Sequence, residues 1–140
     1  MHRLEANRVR EFVLGGNATI TIESQMTGKH FTYKIKQSDK DENLYFVKLL
    51  RGQDNEQDYT YIGCYFADGN HFHPEKKYQN VEYEGWPKSL RAVKFLFNRL
   101  DNVPDNLLVY HEGKCCRCGR KLTTPESIER GVGPECEKYL

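Results

Sequence analysis

The apolar positions of the first segment recur with the period of a helix. In residues 3–14 the apolar side chains share one arc of a helical wheel, whereas Arg3 and Arg10 lie outside that arc. The apolar residues are Ala6, Val9, Phe12 and Val13. Gly15 and Gly16 follow, and glycine readily adopts the left-handed conformation that ends a helix. The pattern therefore predicts a short amphipathic helix.

The period then changes to two, which is typical of strands that bury one face. The alternating or apolar segments are Ala18–Glu23, Phe31–Lys36, Leu44–Leu50 and Tyr59–Ala67. Thr27-Gly28 lies in the first connection and predicts a β-hairpin there. A turn signal at Asp68-Gly69-Asn70 precedes a further short strand at His71–His73. These segments predict four to five strands.

A second helical period covers Ser89–Leu100. Its apolar residues fall on one side, and they are Leu90, Val93, Leu96, Phe97 and Leu100. Leu107–His111 is a short apolar strand that leads into a cluster of cysteines. The expected fold class is α+β, with an antiparallel sheet of four to five strands packed against one or two helices. We expect residues 1–106 to form this domain, with a small C-terminal zinc-knuckle module at residues 107–140 packed against it.

Composition limits the size of the core and the classes of partner. The chain has 140 residues, with nine Tyr and seven Phe, which allows one domain with a small, aromatic-rich core. The formal net charge is +1, which argues against an acidic mimic of DNA and against a strongly basic coat for nucleic acid. No apolar run is long enough to span a membrane, and the first residues do not form a secretory signal.

Acidic residues are concentrated between Gln37 and Tyr59. Six acidic residues stand there against three basic ones, the acidic ones being Asp39, Asp41, Glu42, Asp54, Glu56 and Asp58. Two interpretations remain open: solvated loops, or a contact surface for a basic partner.

The cysteines give the first chemical information. Four of the five are Cys115, Cys116, Cys118 and Cys136, and the odd total without a secretory signal argues against a disulfide framework. Cys115 and Cys118 form a C-x-x-C pair followed by Gly119, the spacing of a zinc knuckle. Two intervening residues let both thiolates point at one zinc ion at about 2.3 Å.

Cys136 is the expected third ligand. Thr124 has the character of a helix N-cap with Pro125 at the first helical position, and Gly131 is expected to end that helix. Gly133-Pro134 then starts a last helical turn that presents Cys136.

A structural zinc site takes four protein ligands, and His111 is the predicted fourth. It stands four residues before Cys115, at the end of a strand. Cys116, Cys64, His71 and His73 remain alternatives. The expectation is one structural Zn²⁺ per chain; the competing interpretation is a set of free thiols or a redox pair.

The tail resembles a known family. The run Cys115-x-x-Cys118-Gly-Arg-x-Leu-Thr-x-Pro-Glu-Ser-Ile-x-x-Gly-x-Gly-Pro-x-Cys136 is similar to a zinc-binding domain of unknown function carried by phage and mobile-element proteins. Some small phage proteins with this organisation look like anti-CRISPR proteins. The resemblance implies a zinc-stabilised inhibitor of a host defence complex, with Cas9 as the partner, acting in the cytoplasm of the bacterial host.

Catalysis is not expected. Zinc deaminases need H-x-E together with P-C-x-x-C, but here His111 is followed directly by Glu112 and no proline directly precedes the cysteine pair. The chain also lacks the H-E-x-x-H of metalloproteases, a P-loop and a G-x-S-x-G nucleophile motif. His71-Phe72-His73 could present two imidazoles for a metal, although an H-x-H beside a turn is more often a surface feature.

The second helix carries the candidate binding surface. Its non-core side holds four basic residues, Lys88, Arg91, Lys94 and Arg99, with Phe95 in the middle of them. An aromatic residue among cations is a plausible anchor for a protein partner or a stacking site for a base. In the competing interpretation Phe95 packs under a loop and the cations are only solvated. Two function classes follow: an inhibitor that binds a host protein, and a nucleic-acid-binding accessory protein that uses the zinc module and the basic helix.

Overall fold

The computed structural model describes residues 1–54 and 57–140, and its centre is one antiparallel sheet of seven strands. The strands are β1 (His2–Arg3), β2 (Asn17–Ser24), β3 (His30–Gln37), β4 (Leu44–Leu50), β5 (Tyr59–Phe66), β6 (His71–Pro74) and β7 (Leu107–His111). The described residues also form four α-helices: α1 (Ala6–Val13), α2 (Lys88–Phe97), α3 (Pro125–Arg130) and α4 (Pro134–Glu137). Glu56, counted above among the acidic residues, lies outside the described part of the chain.

The sheet is larger than the four to five strands predicted, because β1 and β7 join it. The strand order is β1-β7-β2-β3-β4-β5-β6, so β7 lies between β1 and β2. In the register of β2 and β7, Ile20 is opposite His111 and Ile22 is opposite Val109. Arg3, which the helical period placed in the first helix, instead pairs with Tyr110 in β1. The α+β class is confirmed, and the segment predicted to lead into the zinc module is also an inner strand of the sheet.

The two faces of the sheet differ in character. Side chains at the centre of the inner face are fully buried, among them Ile20, Ile35 and Val47. The helix α1 packs there through Phe12, whose ring lies 5.2 Å from that of His111. The helix α2 packs there through Phe97, which stacks on Tyr65 with ring centroids 4.2 Å apart.

Alternation along the strands sends every second side chain to the opposite face, called here the outer face. On β3, β4 and β5 this face carries the exposed Lys36, Phe46, Lys48 and Tyr61. Within the described residues, no helix is long and apolar enough to cross a membrane.

The C-terminal segment is fastened to the start of β2 and to α1. The backbone N–H of Asn17 donates to the carbonyl of Cys116 at 2.7 Å, and the N–H of Cys116 donates to the carbonyl of Gly131 at 2.9 Å. Gly131 lies directly against the ring of Phe12, where a methyl group would collide with that ring. The cysteine cluster therefore lies beside the first residue of β2 and shortly after the last residue of β7.

Candidate metal centre and binding groove

Three cysteines predicted from their spacing come together. The Sγ atoms of Cys115, Cys118 and Cys136 all lie within 4.8 Å of one another. Cys115 and Cys136 are buried, and Cys118 is exposed. This is the only such group of potential metal ligands found among residues 1–54 and 57–140.

A tight turn brings Cys115 and Cys118 to the same side. The N–H of Gly119 donates to the carbonyl of Cys115 at 2.9 Å. The backbones of Lys114 and Lys121 form an isolated antiparallel β-bridge across the turn. Gly119 has φ +78°, a conformation that glycine adopts without strain, and a Cβ there would lie 2.8 Å from Nδ2 of Asn17. The sequence C-x-x-C-G therefore forms the knuckle that its spacing predicts.

Backbone N–H groups surround the sulfur of Cys115. Those of Arg117 and Gly133 each donate to its Sγ at 3.4 Å. Burial alone would raise the pKa of the Cys115 thiol, but backbone donors from Cys118, Gly133 and Arg117 outweigh it and lower the pKa to about 7. Such donors stabilise a thiolate, the form that binds zinc.

Cys136 is presented by two short helices, as the sequence predicts. The hydroxyl of Thr124 accepts the N–H of Ser127 at 3.2 Å, Pro125 starts α3, and Gly131 ends it with φ +76°. Pro134 then starts α4, which carries Cys136. The guanidinium of Arg117 donates to Sγ of Cys136 at 3.8 Å. Arg117 also stacks on the ring of Tyr139 at 4.3 Å, which fixes this orientation.

The structure does not bring His111 into the group of three cysteines. His111 faces the interior between α1 and β1, with its ring 5.2 Å from Phe12 and 5.3 Å from His2. Its Nδ1 accepts the N–H of Gly113 at 3.0 Å, and burial lowers the pKa of the imidazole. Nε2 is buried and has no hydrogen-bond partner among the described residues.

The alternative fourth ligands also lie apart from the group. Sγ of Cys116 points toward Gly15, where an added Cβ would lie 2.5 Å from it, and burial raises the pKa of this thiol to about 12. Cys64 pairs with His73 at the β5–β6 edge, and β2, β3 and β4 separate these strands from β7. His71 also lies on β6.

The donor set nonetheless fits zinc. Three cysteine sulfurs close together, with Cys115 held toward the thiolate form, provide the soft ligands that Zn²⁺ prefers. A cavity of about 500 Å³ opens beside the sulfurs, and Thr124, Ser127 and Glu135 contribute to its walls. A fourth donor has room to enter from this side.

The predicted binding residues of α2 divide into two sets. Lys88, Arg91 and Phe95 line a groove of about 380 Å³ between α2 and the β2–β3 hairpin. Lys94 instead lies over the ring of Trp86 at 5.9 Å, and the guanidinium of Arg99 covers Phe95 at 3.6 Å. Phe95 is half-buried rather than enclosed.

The sequence pattern did not predict the opposite wall of this groove. It contains Met26, Lys29 and Phe31 from the hairpin, with Tyr83 at one end. Lys29 lies beside Lys88 and lowers the pKa of the Lys88 amine, through a side-chain hydrogen bond and through the repulsion between two like charges. Nothing in the local sequence signals that these two segments meet, since they are separated by more than fifty residues.

Residues 108–140 match the model of a family of unknown function, DUF6011. The match contains all three clustered cysteines and covers about a quarter of the chain. No curated protein and no solved structure matches the chain. The similarity therefore concerns the metal-binding tail and carries no reaction with it.

Proposed function

We propose that the chain is a zinc-stabilised binding protein that acts by occupying a surface of its partner, without turnover. The observation that carries the proposal is the groove between α2 and the β2–β3 hairpin, where half-buried rings lie beside cations that form no ion pair with any described residue. Zinc, held by Cys115, Cys118 and Cys136, would cross-link the knuckle to α4. It would thereby stabilise a segment too short to fold on its own core.

The groove has the features of a protein-binding anchor site. Phe31 and Phe95 offer aromatic walls, and Lys29, Lys88 and Arg91 supply positive charge at one place. Nε of Arg91 is buried and has no hydrogen-bond partner within the described residues. An acidic side chain beside an apolar one in the partner would satisfy both features, because a desolvated cation gains most from a carboxylate partner.

A host defence complex is the partner class we propose, with Cas9 as the first member to test. The support is the resemblance of the tail to proteins of phage and mobile elements. A binding inhibitor of this kind follows mass action, so its potency depends on the molar ratio of inhibitor to target.

The experiment titrates the protein against purified Cas9 loaded with guide RNA and measures DNA cleavage. We expect loss of cleavage near an equimolar ratio, and a large loss of potency in the double variant Phe95→Ala with Arg91→Glu. The matched control is Tyr78→Ala with Lys77→Glu, which removes a half-buried ring and reverses an exposed charge outside the groove.

Three results would contradict the proposal. Inhibition by a small fraction of one equivalent would indicate turnover. Equal potency of the groove variant and the control would mean that the groove is not the contact surface. Undiminished cleavage at a large excess would exclude Cas9 as the partner.

A further inference from the structure

The cavity beside the three clustered cysteines is separate from the groove. Its volume is about 500 Å³, and Cys115, Cys118 and Cys136 all contribute to its wall. Their Sγ atoms lie within 4.8 Å of one another, so a metal ion bound to the three sulfurs would lie at this wall. The cavity is within the size range of pockets that bind small molecules.

Three protein ligands do not close a zinc site. Structural sites are closed by four protein ligands, whereas catalytic sites have three and leave the fourth position to water or substrate. Among the described residues, no His, Cys, Asp or Glu joins the three cysteines. His111 is buried against α1, and Sγ of Cys116 points toward Gly15. The fourth position is therefore left to a ligand that enters through the cavity.

The oxygen-bearing side chains of the cavity wall already have partners within the chain. The hydroxyl groups of Thr124 and Ser127 hydrogen-bond to each other at 3.0 Å. Glu135 is the only acidic residue among the described residues of the wall, and it forms an ion pair with Lys138 at 3.5 Å. The negative charge of this carboxylate is therefore offset.

The remaining charges around the cavity favour an anion. Three thiolates leave a zinc site with one net negative charge, but backbone N–H groups and the guanidinium of Arg117 already donate to the sulfurs. Arg120 and Lys121 also line the cavity. Both are exposed, and neither forms an ion pair with a described residue. Two cations thus lie beside the sulfurs without a carboxylate of their own.

A small thiol with carboxylate groups matches these features. Zinc prefers soft ligands, and a fourth sulfur would complete the tetrahedral set found in four-cysteine sites. The thiol would lose its proton to solvent on binding, and no oxidant or reductant is required. Its carboxylates would pair with Arg120 and Lys121. A water molecule would complete the coordination but would leave both cations unpaired.

We propose that the metal centre has an open fourth position that binds a small acidic thiol through its sulfur, with Arg120 and Lys121 holding the carboxylates. The inference rests on the zinc of the proposed function, but not on the groove or on the protein partner. Glutathione is the probe, since it has one thiol and two carboxylates.

Cobalt(II) in place of zinc makes the site visible, because charge transfer from thiolate to cobalt absorbs in the near ultraviolet and grows with the number of sulfur ligands. The chain is loaded with cobalt under a phosphine reductant, which contains no thiol. We expect glutathione to raise this absorbance by about one third, as a fourth sulfur joins three, with one glutathione bound per cobalt. S-methylglutathione is the matched ligand control. It keeps the carboxylates but has no thiol, so it should leave the spectrum unchanged.

The cations of the cavity are tested with Arg120→Gln with Lys121→Gln. This variant should bind glutathione at least about threefold more weakly, since exposed ion pairs contribute modestly. It should bind 2-mercaptoethanol, which has no carboxylate, like the unmodified protein. The matched control is Lys76→Gln with Lys77→Gln, which removes two adjacent exposed cations outside the cavity and should not change either affinity. Circular dichroism establishes that each variant is folded.

The outcomes separate this inference from the proposed function. Failure of cobalt to bind would contradict the zinc site itself, and the open position with it. Cobalt binding without a spectral response to either thiol would overturn the open position alone. A response that appears only in His111→Ala would show that the histidine occupies the fourth position. An equal response to S-methylglutathione would exclude binding through sulfur, and equal glutathione affinity in the Arg120 and Lys121 variant would exclude the carboxylate contacts.

Discussion

At the scale of single residues, the metal centre depends on the direction in which each sulfur points. Cys115 receives backbone N–H groups, Cys136 receives the guanidinium of Arg117, and Cys118 is exposed to solvent. Cys116, although adjacent in sequence to Cys115, points toward Gly15. The three converging sulfurs are therefore expected to be the metal ligands, and Cys116 is not.

Elemental analysis of protein purified without added metal should find about one zinc per chain, as for a structural site. Cys136→Ser should abolish the zinc, because it removes one of three clustered sulfurs. Cys64→Ser is the control and should retain the zinc, because Cys64 lies at the opposite edge of the sheet. His111→Ala decides whether the predicted fourth ligand takes part, and retention of zinc in that variant would exclude it.

The residues of the site could be predicted from the sequence where the geometry is local. A C-x-x-C-G turn determines the directions of its own two side chains, and a glycine–proline turn places Cys136 after a short helix. His111 belongs to a strand, in which alternation determines direction. It shares the inner side with Val109, and that side faces α1 rather than the knuckle.

At the scale of elements, the end of α3 is the point where the tail meets α1. Gly131 ends α3 with φ +76°, and a Cβ at this position would also collide with the ring of Phe12. Its carbonyl accepts the N–H of Cys116, and its own N–H donates to the carbonyl of Ser127 at 2.8 Å. One glycine thus ends a helix and allows the tail to approach the core.

Gly131→Ala should lower the free energy of unfolding by more than about 1–2 kcal/mol, the cost of the left-handed conformation alone, because the collision with Phe12 adds to it. Gly133→Ala is the matched control. Gly133 has φ −73°, and an added Cβ meets no atom within 4 Å. The free energy of unfolding of the Gly133→Ala variant should therefore be nearly unchanged. Urea denaturation of both variants measures the difference, and equal midpoints would contradict the expectation.

Strands and helices with a clear period were predicted to within a few residues, and β4 and β7 at their exact bounds. The exception is β1, which has only two residues and therefore no period of its own. The N–H of Leu4 donates to the carbonyl of Val109 at 2.8 Å and continues this pairing, so α1 starts three residues later than its apolar pattern indicates. A distant strand, and not the local sequence, sets that boundary.

At the scale of the whole molecule, β7 joins the metal-binding tail to the sheet. It pairs with β2 on one side and β1 on the other, and the knuckle follows it directly. The order of the strands could not be predicted, because the pairing of β2 with β7 joins segments with most of the chain between them. The predicted boundary at residue 107 stays a prediction that unfolding experiments test.

Removal of zinc with a chelator should destabilise the sheet as well as the tail. Structural zinc contributes on the order of 10 kcal/mol in small sites, so the Tm should fall by at least about 10 °C. Trp86 packs near Phe72 on β6, far along the sheet from the knuckle, and its fluorescence should change in the same transition as the far-ultraviolet circular dichroism. An unchanged Trp86 transition, with hydrogen exchange accelerated only in the tail, would instead show an independent module.

The insertion of β7 beside β2 also has a consequence for synthesis on the ribosome. The strands β2 to β6 pair in chain order, so each can pair soon after it is synthesised. The other edge of β2 pairs with β7, which is more than eighty residues further along the chain and is synthesised after a delay. At about 5–20 residues per second this delay is roughly 4 to 17 seconds. During that interval the nascent chain exposes an unpaired strand edge that contains Ile20 and Ile22, which is a template for association with other chains. The yield of native protein should therefore increase when translation is followed closely by chaperone binding, or when few chains are made at once.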